Sequence, residues 1–254
     1  MRVLVIGGGG REHALAAKLA SERGVSHIAC APGNPGMRQV AAIERLDPGD
    51  ADAVLALVER LAIDLTIVGP ELPLDRGVAD RLHAAGRRVF GPTRAAARLE
   101  CSKVFAKQFM ARHGIPTARY RVCTAMREAQ EVVASGELGF PIVVKTDGLA
   151  AGKGVVVAAD AAEADAAVRA AMEERRFGSA GSRVVIEECL SGPEVSFFAI
   201  CDGARALPLT SAQDHKRIFD DDRAVGVALP GGARTRFPLV VAKPIRSAAA
   251  AIPA

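Results

Sequence analysis

Four strand-like runs in the first ninety residues each stop at a cluster of glycine or proline, and this pattern constrains the fold more than any other feature. The runs are Val3–Ile6, His27–Ala31, Leu65–Val68 and Arg88–Phe90. They close at Gly7–Gly10, Pro32–Gly36, Gly69–Glu71 and Gly91–Thr93. Val3–Ile6 is apolar without interruption, as expected of a strand buried on both faces. Stretches with helical periodicity lie between the runs. Arg11–Ala20 places Ala14, Leu15, Lys18 and Leu19 at helical offsets. Asp50–Leu61 gathers Val54, Leu55, Leu57, Val58 and Leu61 on one face, and Arg76–Ala85 follows as a further helix. Strand, helix, strand, helix predicts an α/β domain built on an open parallel sheet.

In such sheets ligands bind outside the carboxyl ends of the strands. The turns there carry Gly8, Gly9, Gly10, Gly33, Asn34 and Glu71. Turn formation alone accounts for the glycines and prolines one by one, whereas Asn34 and Glu71 add side chains suited to a small molecule. A dinucleotide fingerprint fails at two points. Glu12 stands where the third glycine belongs, and Cys30-Ala31-Pro32 closes the second strand where a ribose-binding carboxylate is needed. NAD is therefore rejected. The glycines and the helix start beyond them still suit a phosphate or carboxylate.

From Thr93 the character changes. Thr93 can N-cap a helix running through Leu99 and Phe105 towards His113, which Gly114-Ile115-Pro116 stops. Within it, Lys103 reads most simply as a solvated helix lysine. Residues 119–188 then read as a small α+β unit. Pro141–Lys145 and Lys153–Val157 form strands flanking a glycine-rich turn that holds Gly148, Gly152, Lys153 and Gly154. Bare backbone amides and two lysines suit a polyphosphate, although a hairpin with solvated lysines would show the same pattern. The spacing is not that of a P-loop. Asp160–Glu163 resembles a capping box opening a helix to about Glu174, and Val184–Glu188 is another strand. Glu187 and Glu188 face opposite ways along it. Gln213-Asp214-His215-Lys216-Arg217 combines the polar side chains of a phosphoryl-transfer site, or forms a charged surface turn.

Composition excludes several classes. With no Trp and one Tyr, the chain lacks stacking platforms for single-stranded nucleic acid. No run approaches the ~18 apolar residues of a membrane span, and the first strand breaks at once into glycines, unlike a signal peptide. The five cysteines are scattered without a CxxC pair, which predicts reduced thiols and no structural zinc. Net charge is +4, yet residues 223–254 carry five Arg and Lys with no Asp or Glu, so the basic balance comes from the tail.

Taken together, these strings resemble the phosphoribosylamine–glycine ligase (glycinamide ribonucleotide synthetase) family of ATP-grasp enzymes. The matching strings are Val5–Ala14, Ala31–Gly36, Asp64–Glu71, Ser102-Lys103, Lys145–Val157, Ile186–Glu188 and Gln213–Arg217, in family order over about residues 1–222. The resemblance implies an N-terminal substrate-binding domain at 1–118, an ATP-grasp lid at 119–188 and a truncated ATP-grasp core at 189–222. It implies ATP-dependent joining of glycine to 5-phosphoribosylamine through glycyl phosphate, with Mg2+ or Mn2+, in a cytoplasmic monomer that binds neither nucleic acid nor membrane. A biotin-carboxylase-like ligase shares the architecture but fits the strings less well.

By the same resemblance, Lys103 and Lys145 contact ATP and Gly148, Gly152, Lys153 and Gly154 form the phosphate flap. Glu187 approaches the adenine amino group, the backbone at Glu188 and Leu190 meets the ring edge, and Glu194 holds the ribose. Asp214, His215 and Lys216 are the catalytic group, near triphosphate and glycine. Gly8, Gly9, Gly10, Gly33, Asn34 and Glu71 line the phosphoribosylamine pocket. The resemblance ends after Asp222, where a family glycine-rich segment is replaced by Arg223–Arg234. The family's magnesium-binding Glu and Asn belong to a later strand, so no metal ligand is assigned. A frameshift, a truncation or a divergent tail each produce this pattern, and each implies an impaired ligase or a non-catalytic phosphoribosyl- and nucleotide-binding fragment.

Overall fold

The computed structural model describes residues 1–149, 154–192 and 195–212. Two compact units carry most of it, Met1–Arg98 and Leu99–Phe198.

The first unit runs β1 (Arg2–Gly7), α1 (Gly10–Ala20), β2 (His27–Pro32), β3 (Ala42–Ile43), α2 (Ala51–Arg60), β4 (Leu65–Val68), α3 (Glu71–Asp75), α4 (Val78–Ala84) and β5 (Val89–Phe90). All five strands are parallel, in the order β3-β2-β1-β4-β5. The expected parallel sheet is therefore present. Val3 to Ile6 of β1 are fully buried at its centre, which is why that run needs no polar alternation. Asp50 caps α2 by accepting from the amides of Asp52 and Ala53, and Val54, Leu55, Leu57 and Val58 are buried beneath it.

Two local expectations are corrected here. Leu15 is exposed; α1 turns Glu12 and Ala16 inward instead. The small Ala16 lets the helix lie close to the sheet. The helix expected over Arg76–Ala85 is present as α4 but starts at Val78, after Gly77, which caps it with φ +81. That left-handed turn suits glycine and breaks the helical path. The two-residue β3 was too short to show a period.

After α5 (Arg94–Cys101), the chain continues through α6 (Lys103–Arg112), β6 (Tyr120–Cys123), α7 (Met126–Ser135), β7 (Ile142–Thr146), β8 (Val155–Ala158), α8 (Ala161–Met172) and β9 (Val184–Glu188). Its sheet is antiparallel in the order β6-β9-β7-β8. One face packs Ile142, Val144, Val184 and Ile186 against Ala129 and Val133 of α7 and Ala164 and Val168 of α8. Period-two alternation then sends Lys145 and Glu187 to the other face. Asp160 caps α8 by accepting from Glu163 N, as expected, while the Glu163 carboxylate reaches back to Ala159 N.

The single helix expected from Thr93 towards His113 is broken at Ser102. Ser102 adopts extended backbone and caps α6 by accepting from Phe105 N. Of the strand expected over Lys153–Val157, Lys153 lies outside the described residues and β8 covers Val155–Ala158. Beyond these elements, β10 (Ala199–Cys201) and β11 (Ala206–Pro208) pair as an antiparallel hairpin. No helix among the described residues is long and apolar enough to cross a membrane. None of the five cysteines forms a disulfide, and Cys30, Cys101 and Cys123 are buried.

Candidate functional site

Two groups of side chains stand out, one in each unit. In the first, the strand order reverses between β1 and β4, so the turns after these strands flank a topological switch point. Gly7–Gly10 arrives from β1 and Gly69–Glu71 from β4, with the turn after β2 beside the first. Gly33 takes φ +63, and its amide donates to Gly7 O at 3.2 Å. The Asn34 Nδ2 donates to Gly8 O at 2.9 Å, and its Oδ1 accepts from Met37 N at 3.2 Å. A Cβ on Gly8 would sit 2.5 Å from Gly33 O. The structure thus brings Gly8, Gly33 and Asn34 into direct contact, and Asn34 spends its amide on holding the turns together.

Glu71 begins α3 and lies 3.3 Å from the exposed Arg11 guanidinium. Gly10 opens α1 with free space around the position a Cβ would take. Gly9 precedes it as the N-cap, and its amide is taken by Glu12 Oε2 at 2.7 Å. Glu12 is only 4% exposed, and its Oε1 has no hydrogen-bond partner among the described residues. Sequence reasoning met Glu12 only as a defect in the dinucleotide fingerprint. That defect was the signal: the carboxylate in place of the third glycine accepts the Gly9 amide and fixes the start of α1.

In the second unit the register sets Val143 opposite Glu187, which makes Lys145 the diagonal neighbour of Glu187 on the same face. The Glu187 Oε1 contacts the Lys145 ammonium, and Oε2 lies 2.5 Å from Lys107 Nζ. All three side chains are at least nine-tenths buried. Lys107 also donates to Thr117 Oγ1 at 2.8 Å and Ala118 O at 3.4 Å, and lies 5.3 Å over the Tyr120 ring. Burial pushes the Lys145 ammonium down to about 7, helped by the neighbouring Lys107 and Lys103. Burial pushes Lys107 down to about 8, against the pull of Glu188. The Glu187 carboxylate opposes both shifts. Such a cluster holds cationic groups close to losing a proton, a state suited to an arriving anion.

The turn after β7 is tied to the start of α6. Asp147 is buried; its Oδ1 accepts from Ser102 Oγ at 2.9 Å and Val104 N at 3.2 Å, and its Oδ2 from Arg183 at 2.5 Å. Lys103 is not the solvated lysine its helix position implied. It donates to Gly148 O at 3.0 Å, and burial lowers its affinity for a proton. Gly148 takes φ +94, and Gly154 O accepts from Thr146 N at 2.8 Å. Glu188, on the opposite side of β9 from Glu187, accepts from Arg119 N and Nε at 2.9 and 2.8 Å, which holds its carboxyl below the usual range. Leu190 is partly exposed. Gly152, Lys153, Glu194, Asp214, His215 and Lys216 lie outside the described residues.

Lys145, Lys103, Glu187 and Gly148 therefore come together around one turn. Lys107 and Asp147 were missed. Lys107 had a signal, since it follows Lys103 by one helical turn on the same face of α6. Among the described residues no cluster of three or more His, Cys, Asp or Glu side chains could hold a metal. The described residues bring cationic side chains together around the turn after β7.

Comparison with known proteins matches both units. Residues 1–100 fit the phosphoribosylglycinamide synthetase N domain, and residues 101–252 fit the phosphoribosylglycinamide synthetase ATP-grasp (A) domain. The chain is 56% identical over 224 residues to a phosphoribosylamine–glycine ligase of Xanthomonas axonopodis, covering 87% of this chain and 52% of that protein. The A-domain match continues past that aligned stretch. Among solved structures, phosphoribosylamine–glycine ligase from Thermotoga maritima superposes with a TM-score of 0.74 at 31% identity, over 89% of this chain and 53% of that one. The biotin carboxylase domain of Hydrogenobacter thermophilus 2-oxoglutarate carboxylase, solved with MgADP, ADP and bicarbonate, gives 0.65 at 17% identity over 83% and 49% of the two chains, a likeness of fold alone. The chain spans about half the length of the curated relatives it matches. On these matches, the chain belongs to the phosphoribosylglycinamide synthetase family and carries its N domain followed by its ATP-grasp (A) domain.

Proposed function

We propose that this chain supplies the phosphoribosylamine- and ATP-binding parts of an ATP-dependent ligase that joins glycine to 5-phosphoribosylamine. The reading rests on family membership together with one observation, the buried Lys145–Glu187 pair at the foot of a glycine-bearing turn. In this reading Lys145 and Lys103 hold the nucleotide phosphates, and Gly148, Gly152, Lys153 and Gly154 cover them with backbone amides. Glu187, Glu188 and Leu190 border the adenine, and Glu194 the ribose. The turns bearing Gly8, Gly9, Gly10, Gly33, Asn34 and Glu71 receive phosphoribosylamine. Asp214, His215 and Lys216 serve the reacting groups.

ATP supplies the phosphoryl group that turns the glycine carboxylate into an acyl phosphate open to attack by the ribosylamine nitrogen. The protein's part is to position these groups, neutralise charge and keep water away from the acyl phosphate. The lid at 119–188 and the partial core at 189–222 belong to this proposal, as do magnesium and a monomeric state. The test is ADP release by the 254-residue chain. Release that requires both glycine and phosphoribosylamine supports the ligase. ATP-induced thermal stabilisation without turnover supports a binding fragment instead. Absence of both removes the reading.

A further inference from the structure

We propose that Lys107 is a positioning residue that governs the charge of Lys145 through their shared carboxylate, Glu187, and that binding of a polyphosphate draws a proton onto this cluster. The proposal rests on the nucleotide reading above only for the identity of the anion. The Lys107 ammonium is already met by three oxygens, on Glu187, Thr117 and Ala118, and covered by the Tyr120 ring. A lysine so enclosed is built for its effect on neighbours.

That effect follows from charge. Two buried ammonium groups share one carboxylate, so each repels the other and competes for the same negative charge. Loss of one proton relieves that repulsion, and the more strongly repelled group sheds it first. Lys145 is that group, because it is the more fully buried and faces more cations. Lys107 and Lys103 face it from α6 and Glu187 from β9, with Cys189 just beyond that strand. Lys107 is itself faced by Glu187, Glu188, Thr117 and Tyr120. An anion beside Lys145 adds negative charge and shifts the balance towards the protonated form.

Removing the Lys107 charge acts on Lys145 twice in the same direction. It abolishes a repulsion and leaves Glu187 to Lys145 alone. The experiment is NMR titration of the Lys145 side chain in the ligand-free 254-residue chain, native and Lys107→Met. The Lys145 midpoint is expected to rise by about one pH unit or more, a tenfold change in proton affinity. An unchanged midpoint overturns the proposal. Should Lys107→Met fail to fold, Thr117→Val removes one oxygen from Lys107, and a smaller upward shift of Lys145 is expected; no shift overturns the proposal again. Calorimetry of ATP binding in buffers of different ionisation enthalpy completes the test. Native protein is expected to take up a fraction of a proton near pH 7.5 and Lys107→Met close to none, and equal uptake counts against the coupling. If the native chain binds no ATP, the nucleotide reading falls while the ligand-free titration still decides the role of Lys107.

Discussion

Gly69 lies against Glu12 with no room for a side chain: a Cβ on Gly69 would sit 2.5 Å from Glu12 Cγ. Glu12 cannot swing away, because it is buried and its Oε2 is held by Gly9 N. The turn after β4 is therefore shaped around a carboxylate from α1. Gly69→Ala is expected to destabilise the chain by about 1–3 kcal/mol, as overpacking does. In a Glu12→Ala background the same substitution should cost at least about 0.5 kcal/mol less, read as coupling in a double-mutant cycle of urea unfolding. Equal penalties in the two backgrounds would show that the contact is not the cause.

Gly8 and Gly10 are neighbours in sequence but differ in what surrounds them. The Cβ of an alanine at Gly8 would meet the backbone oxygen of Gly33 at 2.5 Å, whereas at Gly10 it meets nothing within 4 Å. Backbone cannot step aside as a side-chain tip can. Gly8→Ala should lower the unfolding midpoint clearly. Gly10→Ala, at the first position of α1, should leave stability unchanged or raise it by up to about 1 kcal/mol, since alanine favours helix over glycine. Any loss of phosphoribosylamine binding in Gly10→Ala then reports on the site alone. Thermal melts with and without ligand separate the two effects.

These contrasts show what the sequence disclosed and what it withheld. The parallel sheet was legible because Val3–Ile6 and Leu65–Val68 are short apolar runs with turn residues at their ends, and β4 falls on the expected residues. The Lys145–Glu187 side of the site was legible as residue types, since both stand in strands of clear period. Their pairing was not, because register between β7 and β9 is a matter of the whole sheet. The break at Ser102 escaped because helical periodicity runs through it; the cause is Asp147, forty-five residues away, which takes the serine hydroxyl. Long-range polar contacts leave no periodic trace.

Ser102 carries two duties at that break. Its oxygen accepts from Phe105 N at 3.1 Å to cap α6, and its hydroxyl donates to Asp147 Oδ1 at 2.9 Å. Ser102→Ala loses the cap and strips one donor from a buried carboxylate. The expected cost is about 1–3 kcal/mol, combining a cap with a charge-assisted hydrogen bond. The denaturant slope should not change, because the surface exposed on unfolding is the same. A cost near zero would mean that Val104 N and Arg183 alone satisfy Asp147.

The buried cluster also sets the pH dependence of stability. Lys145 and Lys107 titrate at about 7 and about 8 in the folded chain against 10.5 when unfolded. Between those values the unfolded chain binds more protons, so stability rises with pH, each lysine supplying at most about 1.4 kcal/mol per pH unit. Below pH 7 both states are protonated and this gain is absent. Two buried thiols act in the opposite sense. Burial raises Cys30 to about 11 and Cys123 to about 12, from 9.0. Above pH 9 the folded chain therefore holds protons that the unfolded chain gives up, and stability is lost. Urea midpoints should climb from pH 7 to 9 and then level off. In Lys107→Met the climb should weaken, since one shifted lysine is gone and Lys145 titrates higher. In a Cys30→Ala, Cys123→Ala double variant it should persist beyond pH 9. A profile that is flat from pH 7 to 9 in the native chain would mean that the Lys145 and Lys107 ammonium groups keep their protons throughout.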